Sequence, residues 1–137
     1  MKEIVIDAKR ENLPILFDFL TDSLSPYSKD KRTIRKVKLC AEEAFMNIAS
    51  YAYNPDTGPA KVSIDTHGSP YHIKIEMVFT DKGKPFNPLT IAPPDIESGL
   101  EDRKIGGLGI FLIRKEMDEI LYEYRDGENV LTMKKTI

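Results

Sequence analysis

Three short stretches carry residues whose type and spacing could do chemistry. Glu43 and Asn47 stand four apart on a helical pattern, so their side chains are neighbours. A carboxylate beside a carboxamide offers two functions. The Asn oxygen can bind a hard cation such as Mg²⁺, and the Glu can orient or deprotonate an attacking hydroxyl. Asp81-Lys82-Gly83-Lys84-Pro85 follows an apolar strand pattern. An aspartate at a strand end can accept a hydrogen bond from an adenine amino group, and Gly83 lets the backbone pass close to a flat base. Gly106, Gly107 and Gly109 lead into the apolar run Ile110 to Ile113. A glycine-rich entry to a helix exposes backbone N–H groups at the positive end of the helix dipole, a place suited to an anion such as phosphate. The first two stretches have a plainer alternative: an exposed polar pair and an ordinary turn. The glycines are the hardest to set aside, because each costs about 1 kcal/mol relative to alanine inside a helix.

The elements that must position these residues follow from periodicity. Residues 2–8 alternate and predict a strand. Asn12-Leu13-Pro14 starts a helix, and Leu13, Leu16, Phe17 and Leu20 carry it to about residue 24. A second helix is predicted from about 30 to 53, with the stripe Ile34, Val37, Ala41, Ala44, Phe45, Ile48 and Ala52. Glu43 and Asn47 lie roughly 110–150° from the centre of that stripe, at about 100° per residue, so neither is expected in the core. The run Asn54 to Pro59 ends the helix. Val62, Ile64 and Thr66, then Ile73, Ile75, Met77 and Phe79, read as two strands joined by a turn at His67 to Pro70. Residues 82–105 are rich in Pro and Gly and read as a functional loop or lid, or as a mobile insertion. A third helix is predicted from about 107 to 117. Ile120 to Tyr124 and Asn129 to Thr136 form a closing hairpin about Asp126-Gly127. The order predicts one domain spanning residues 1–137: a two-layer α/β sandwich whose mixed, mostly antiparallel sheet has helices on one face.

Composition narrows the function classes. The chain has 137 residues, 41% hydrophobic and 31% charged, with a net charge of −2, enough for a real core. The cluster Lys29, Lys31, Arg32, Arg35, Lys36 and Lys38 has Asp30, Glu42 and Glu43 close by, so it reads as a solvated helix face and not as a nucleic-acid footprint. Cys40 is the only cysteine, which excludes an internal disulfide and suits a reducing, cytoplasmic compartment. The first seven residues are too charged for a signal peptide, and no apolar run approaches a membrane span. His67 and His72 lack a third ligand for a metal. Neither the P-loop nor the dinucleotide-binding glycine pattern fits the glycines at 106–109.

The order and spacing of the three stretches resemble the GHKL ATPases, the group with the Bergerat ATP-binding fold, and most of all its anti-sigma-factor serine/threonine kinase branch. Glu43 to Asn47 is similar to the family's N-box. Asp81 to Pro88 resembles the first glycine box, and Gly106 to Arg114 with Met117-Asp118-Glu119 the second. Asn129 to Lys135 is similar to the last strand. The resemblance implies ATP and Mg²⁺ as cofactors. Asn47 would bind the metal, Asp81 the adenine amino group with help from Thr132, and Gly83 would leave room for the base. Gly107, Leu108 and Gly109 would offer amides to the phosphates, Arg103 and Lys104 would touch them, and Glu43 would be the catalytic base. It further implies a STAS-domain anti-sigma antagonist as phosphoacceptor, a sigma factor as second partner, and a homodimer. A nucleotide-gated binding module without phosphoryl transfer is the alternative. A domain that has lost its nucleotide is the third possibility, and Glu43, Asn47, Asp81 and the glycines argue against it. Tyr51 stands where many relatives carry histidine, and Asn87 where aspartate is frequent. No helix bearing a phosphoacceptor histidine is present, and the chain is shorter than the gyrase and chaperone branches.

Overall fold

A computed structural model describes residues 1–27, 30–69, 72–90 and 105–137 of the chain. Among the described residues, five strands form one sheet: β1 (Lys2–Asp7), β2 (Pro59–Ser69), β3 (His72–Asp81), β4 (Glu119–Arg125) and β5 (Glu128–Thr136). Their spatial order is β1-β2-β3-β5-β4 and every pairing is antiparallel. The helices are α1 (Leu13–Leu24), α2 (Lys31–Asn47) and α3 (Ile105–Glu116). The two-layer α/β reading holds, and the sheet is antiparallel throughout.

Sequence chemistry sets the element ends. Asp30 caps α2: its side chain accepts the Thr33 N–H at 3.1 Å and the Thr33 hydroxyl. Asp126 (φ 54°) and Gly127 (φ 79°) make the tight β4–β5 turn. Two residues at positive φ match the right-handed twist of a two-residue hairpin. The core lies between one sheet face and the helices. Ala60, Val62, Ile64, Ile75, Met77, Phe79, Leu131 and Met133 pack against Leu16, Leu20, Val37, Ala41, Phe45 and Ile113.

Two expectations for the second helix are corrected. Its α-helical part ends at Asn47, and Ile48–Ala52 continue as a π-helical turn. The 3.6-residue pattern of Ile48 and Ala52 hides this widening, because both remain buried. Asn47, expected off the core, is 8% exposed. The apolar stripe faces the sheet, while α3 packs along a second side of α2. Lys36 pairs with Glu116 at 3.6 Å, and a Cβ placed on Gly109 would lie 2.4 Å from Glu43 Oε2. These two contacts make α2 and α3 antiparallel neighbours and bring the first turn of α3 alongside the Asn47 end of α2. Cys40 is buried too, with its thiol pushed up to about 12 by burial and by the charges of Glu116 and Glu43. It is inert at neutral pH. No helix among the described residues is long and apolar enough to cross a membrane.

Candidate nucleotide site

A cleft opens between the C-terminal end of α2 and the ends of β3 and β5. Ala44, Asn47, Ile48 and Ala52 form one wall, and Phe79 and Leu131 the floor. Asp81 and Asn129 lie together at the strand ends, with Phe86, Pro88 and Tyr122 at the mouth. Asn47 and Asp81, 34 positions apart in the chain, therefore line one cavity.

The Asp81 end is densely bonded. Asp81 and Asn129 are register partners across β3 and β5. Asp81 Oδ1 accepts the Gly83 N–H at 2.9 Å and the Asn129 amide N–H at 2.9 Å. Burial pushes the Asp81 carboxyl above its ordinary value, and the Glu128 charge adds to this. The hydrogen bonds from Asn129 and Gly83 pull it back. Tyr53 ties this end to the π-helical turn: its hydroxyl donates to the Pro59 carbonyl at 2.6 Å and accepts the Lys82 N–H at 2.8 Å. Lys84 N–H donates to the Ala52 carbonyl at 2.9 Å. This close approach explains Gly83, whose Cβ would stand 2.3 Å from the Ala52 oxygen. The space at Gly83 is filled by the turn after α2, so its first requirement is packing of the loop and not room for a base.

The Asn47 end is the opposite. Asn47 Nδ2 is buried and has no hydrogen-bond partner among the described residues, although it borders the cleft. Buried polar groups are rarely left so, and each costs about 1–3 kcal/mol. Glu43, one turn earlier, is half-buried. Its carboxyl is raised by burial first and by the neighbouring Glu42 charge second. The glycine segment also differs from expectation. The third helix begins at Ile105 and ends at Glu116, so Gly106, Gly107 and Gly109 lie inside it. Gly107 sits in the first turn, where N–H groups have no intrahelical acceptor. Leu108 and Gly109 come later, where the helix ladder begins to take up the N–H. What Gly109 provides is the missing Cβ that lets Glu43 approach.

Thr132 is not at the cleft. It pairs with Val78 and Leu121, on the sheet face opposite Leu131 and Asn129, because successive strand residues alternate sides. Asn129 occupies the place beside Asp81 that was expected of Thr132. The signal for it was available: Asn129 shares the buried phase of Leu131 and Met133. Tyr51 stacks on Phe86, with ring centroids 4.8 Å apart, and so braces the cleft mouth. Asn87 Oδ1 accepts the Leu89 N–H at 2.9 Å and caps the short turn Pro88–Thr90. Arg114 of α3 donates to the Leu89 carbonyl. Arg103, Lys104 and most of the expected lid fall within 91–104, outside the described residues.

Among the described residues no group of three or more His, Cys, Asp or Glu side chains could hold a metal ion. A cation at Asn47 would need the ligand's own oxygens to complete its coordination, which is how Mg²⁺ commonly binds with phosphates.

The model of the histidine kinase-like ATPase domain matches residues 6–135. The serine/threonine-protein kinase BtrW of Bordetella bronchiseptica is 33% identical over 95 residues, covering 69% of this chain and 65% of that protein. The serine-protein kinase RsbW of Bacillus mycoides is 28% identical over 136 residues, covering 96% of this chain and 82% of the relative. The chain thus spans somewhat less than two thirds of the length of BtrW. The solved SiaB–SiaC complex of Pseudomonas aeruginosa contains a chain of the same fold, with a TM-score of 0.56 and 15% identity over 98% of this chain and 89% of that one.

Proposed function

The chain belongs to the histidine kinase-like ATPase domain family, and from that membership we propose that it is an Mg-ATP-dependent protein serine/threonine kinase. It would act as a cytoplasmic anti-sigma factor that phosphorylates a STAS-domain antagonist. A sigma factor and a second copy of the chain are the other partners of this reading.

The observation that carries it is the Asn47 amide. Nδ2 is a buried donor without an acceptor among the described residues, in the same cavity as an acceptor-rich Asp81. A nucleotide supplies both missing complements, a phosphate oxygen for Asn47 and an amino group for Asp81. The Asn47 side-chain oxygen suits a hard cation. Mg²⁺, when bound, supplies charge neutralisation at the phosphate oxygens. Asn47 would hold the metal and one phosphate oxygen. Gly107 would point its first-turn amide of α3 at the phosphates. Glu43, with its carboxyl raised by burial, would take the proton of the acceptor hydroxyl. Positioning and charge neutralisation account for most of such a transfer. The residues from 91 to 104, Arg103 and Lys104 included, would complete the phosphate contacts.

The test uses ATP labelled at the γ-phosphate with a candidate STAS-domain acceptor. Label moves to the acceptor with the wild-type chain and not with Glu43→Ala. Transfer at the wild-type rate by Glu43→Ala removes the base assignment. Tight nucleotide binding without transfer to a cognate partner favours the nucleotide-gated switch.

A further inference from the structure

The Asn129 amide cannot turn over. It is 5% exposed, and four contacts fix which end faces which neighbour. Nδ2 donates to Asp81 Oδ1 and to the Lys84 carbonyl, both at 2.9 Å. Oδ1 accepts the Phe86 N–H at 3.0 Å and the Tyr122 hydroxyl. A reversed amide would set oxygen against the Lys84 carbonyl and NH₂ against the Phe86 N–H. Backbone groups cannot change their donor or acceptor character, so Asn129 is locked as a donor toward Asp81.

That lock has a consequence for Asp81. Its Oδ1 already accepts from Asn129 and from Gly83. Its Oδ2 has no protein donor among the described residues. The two donors on one oxygen favour the ionised, acceptor-only form and oppose the burial that raises the carboxyl. The free oxygen then demands a donor from whatever enters the cleft. Adenine offers one in its 6-amino group. Hypoxanthine has a 6-carbonyl there, an acceptor, which would face the carboxylate with no hydrogen atom between them.

We propose that Asn129, oriented by the Phe86 N–H and the Tyr122 hydroxyl, is a specificity-determining residue that restricts this site to purines with an exocyclic 6-amino group. The proposal rests on the reading that Asp81 faces the base. Asn129 and Tyr122 act through Asp81 and are positioning residues for it. A site that leaves buried polar groups unpaired against the wrong ligand discriminates far more strongly than shape alone.

The experiment measures dissociation constants of ATP and ITP, each with Mg²⁺, by calorimetry on the full chain. The wild type prefers ATP on the order of 100-fold or more. Asn129→Ala weakens both nucleotides and lowers the ITP/ATP ratio of dissociation constants at least tenfold. Tyr122→Phe, which keeps the ring at the mouth and tests the idea if Asn129→Ala fails to fold, lowers it about threefold, near the value of one neutral hydrogen bond. A purely loop-anchoring role would weaken ATP and ITP equally, and an unchanged ratio in the folded variants overturns the proposal. So does a wild type that binds the two equally. Asp81→Ala separates the two levels. If it too leaves the ratio unchanged, Asp81 does not face the base and the underlying reading fails. If it abolishes the preference while both other variants keep it, only the role of Asn129 and Tyr122 fails.

Discussion

The two ends of the cleft differ in how far the protein satisfies its own polar groups. At the strand end, Asp81, Asn129, Tyr53 and Tyr122 bond one another and the backbone of residues 82–86. At the helix end, Asn47 Nδ2 has no partner, and Glu43 packs against Gly109 without a hydrogen bond or ion pair among the described residues. The first end is preorganised by the fold, and on the proposed reading the second would be completed by the nucleotide. A nucleotide would then meet a rigid reader of its shape and hydrogen atoms on one side. On the other it would meet charge-handling groups whose energy is released only on binding.

Substitutions should separate the ends. Asn47→Ala is the sharpest: phosphoryl transfer falls by about 10³ or more, while the ligand-free protein loses no stability. Removing an unpartnered buried amide relieves a cost of about 1–3 kcal/mol, which offsets the lost packing. Urea unfolding without nucleotide checks this, and a loss above about 2 kcal/mol would show that Asn47 is structural. Glu43→Gln lowers turnover by about 10²–10⁴ and has a pH signature. A carboxyl whose folded value is raised binds its proton more tightly in the native state, so its ionisation costs stability as pH rises. The variant should gain stability relative to wild type as pH climbs from the ordinary glutamate value through the raised one, with no gain below it. A difference that does not vary with pH would contradict the burial of Glu43.

The two glycines contrast in the same way. A Cβ at Gly83 meets the Ala52 backbone, which cannot yield, whereas a Cβ at Gly109 meets the end of the Glu43 side chain, which can rotate. Gly83→Ala should cost about 1–3 kcal/mol of stability. Gly109→Ala should stay folded and lose roughly tenfold in turnover, within the penalty for misplacing a catalytic group. Equal stability losses in thermal melts would erase the distinction. The smallest effect is Tyr53→Phe. It removes one hydrogen bond to the Lys82 N–H of the Asp81 loop and one to the Pro59 carbonyl at the start of β2, a loss of about 1–2 kcal/mol, with the ATP/ITP preference intact.

Much of the architecture was legible in the chain because burial follows period. The stripe from Ile34 to Ala52 and the alternation from Ile73 to Phe79 both lie in the core as read. The convergence of Asn47 and Asp81 was legible only through the family resemblance. Periodicity placed Asn47 off the core, since a wheel counts one buried face and α2 has two neighbours, the sheet and α3. The π-helical turn was hidden because Ile48 and Ala52 fit either helix. Thr132 misled because a hydroxyl in the last strand fits the expected chemistry, and only register shows that it points away. Tyr53 carried no local signal, because it acts through Lys82, 29 positions away, and Tyr122 reaches Asn129 only once the β4–β5 hairpin has set its register.

The most direct test of a single nucleotide cleft is the thermal stability of wild type, Asn47→Ala and Asp81→Ala with and without Mg-ATP. A ligand at about 100 times its dissociation constant stabilises the native state by about 2.7 kcal/mol. Wild type should therefore melt several degrees higher with nucleotide, and each variant should lose most of that rise. A wild type indifferent to millimolar Mg-ATP, or variants that keep the full rise, would contradict the placement of one ligand across Asn47 and Asp81.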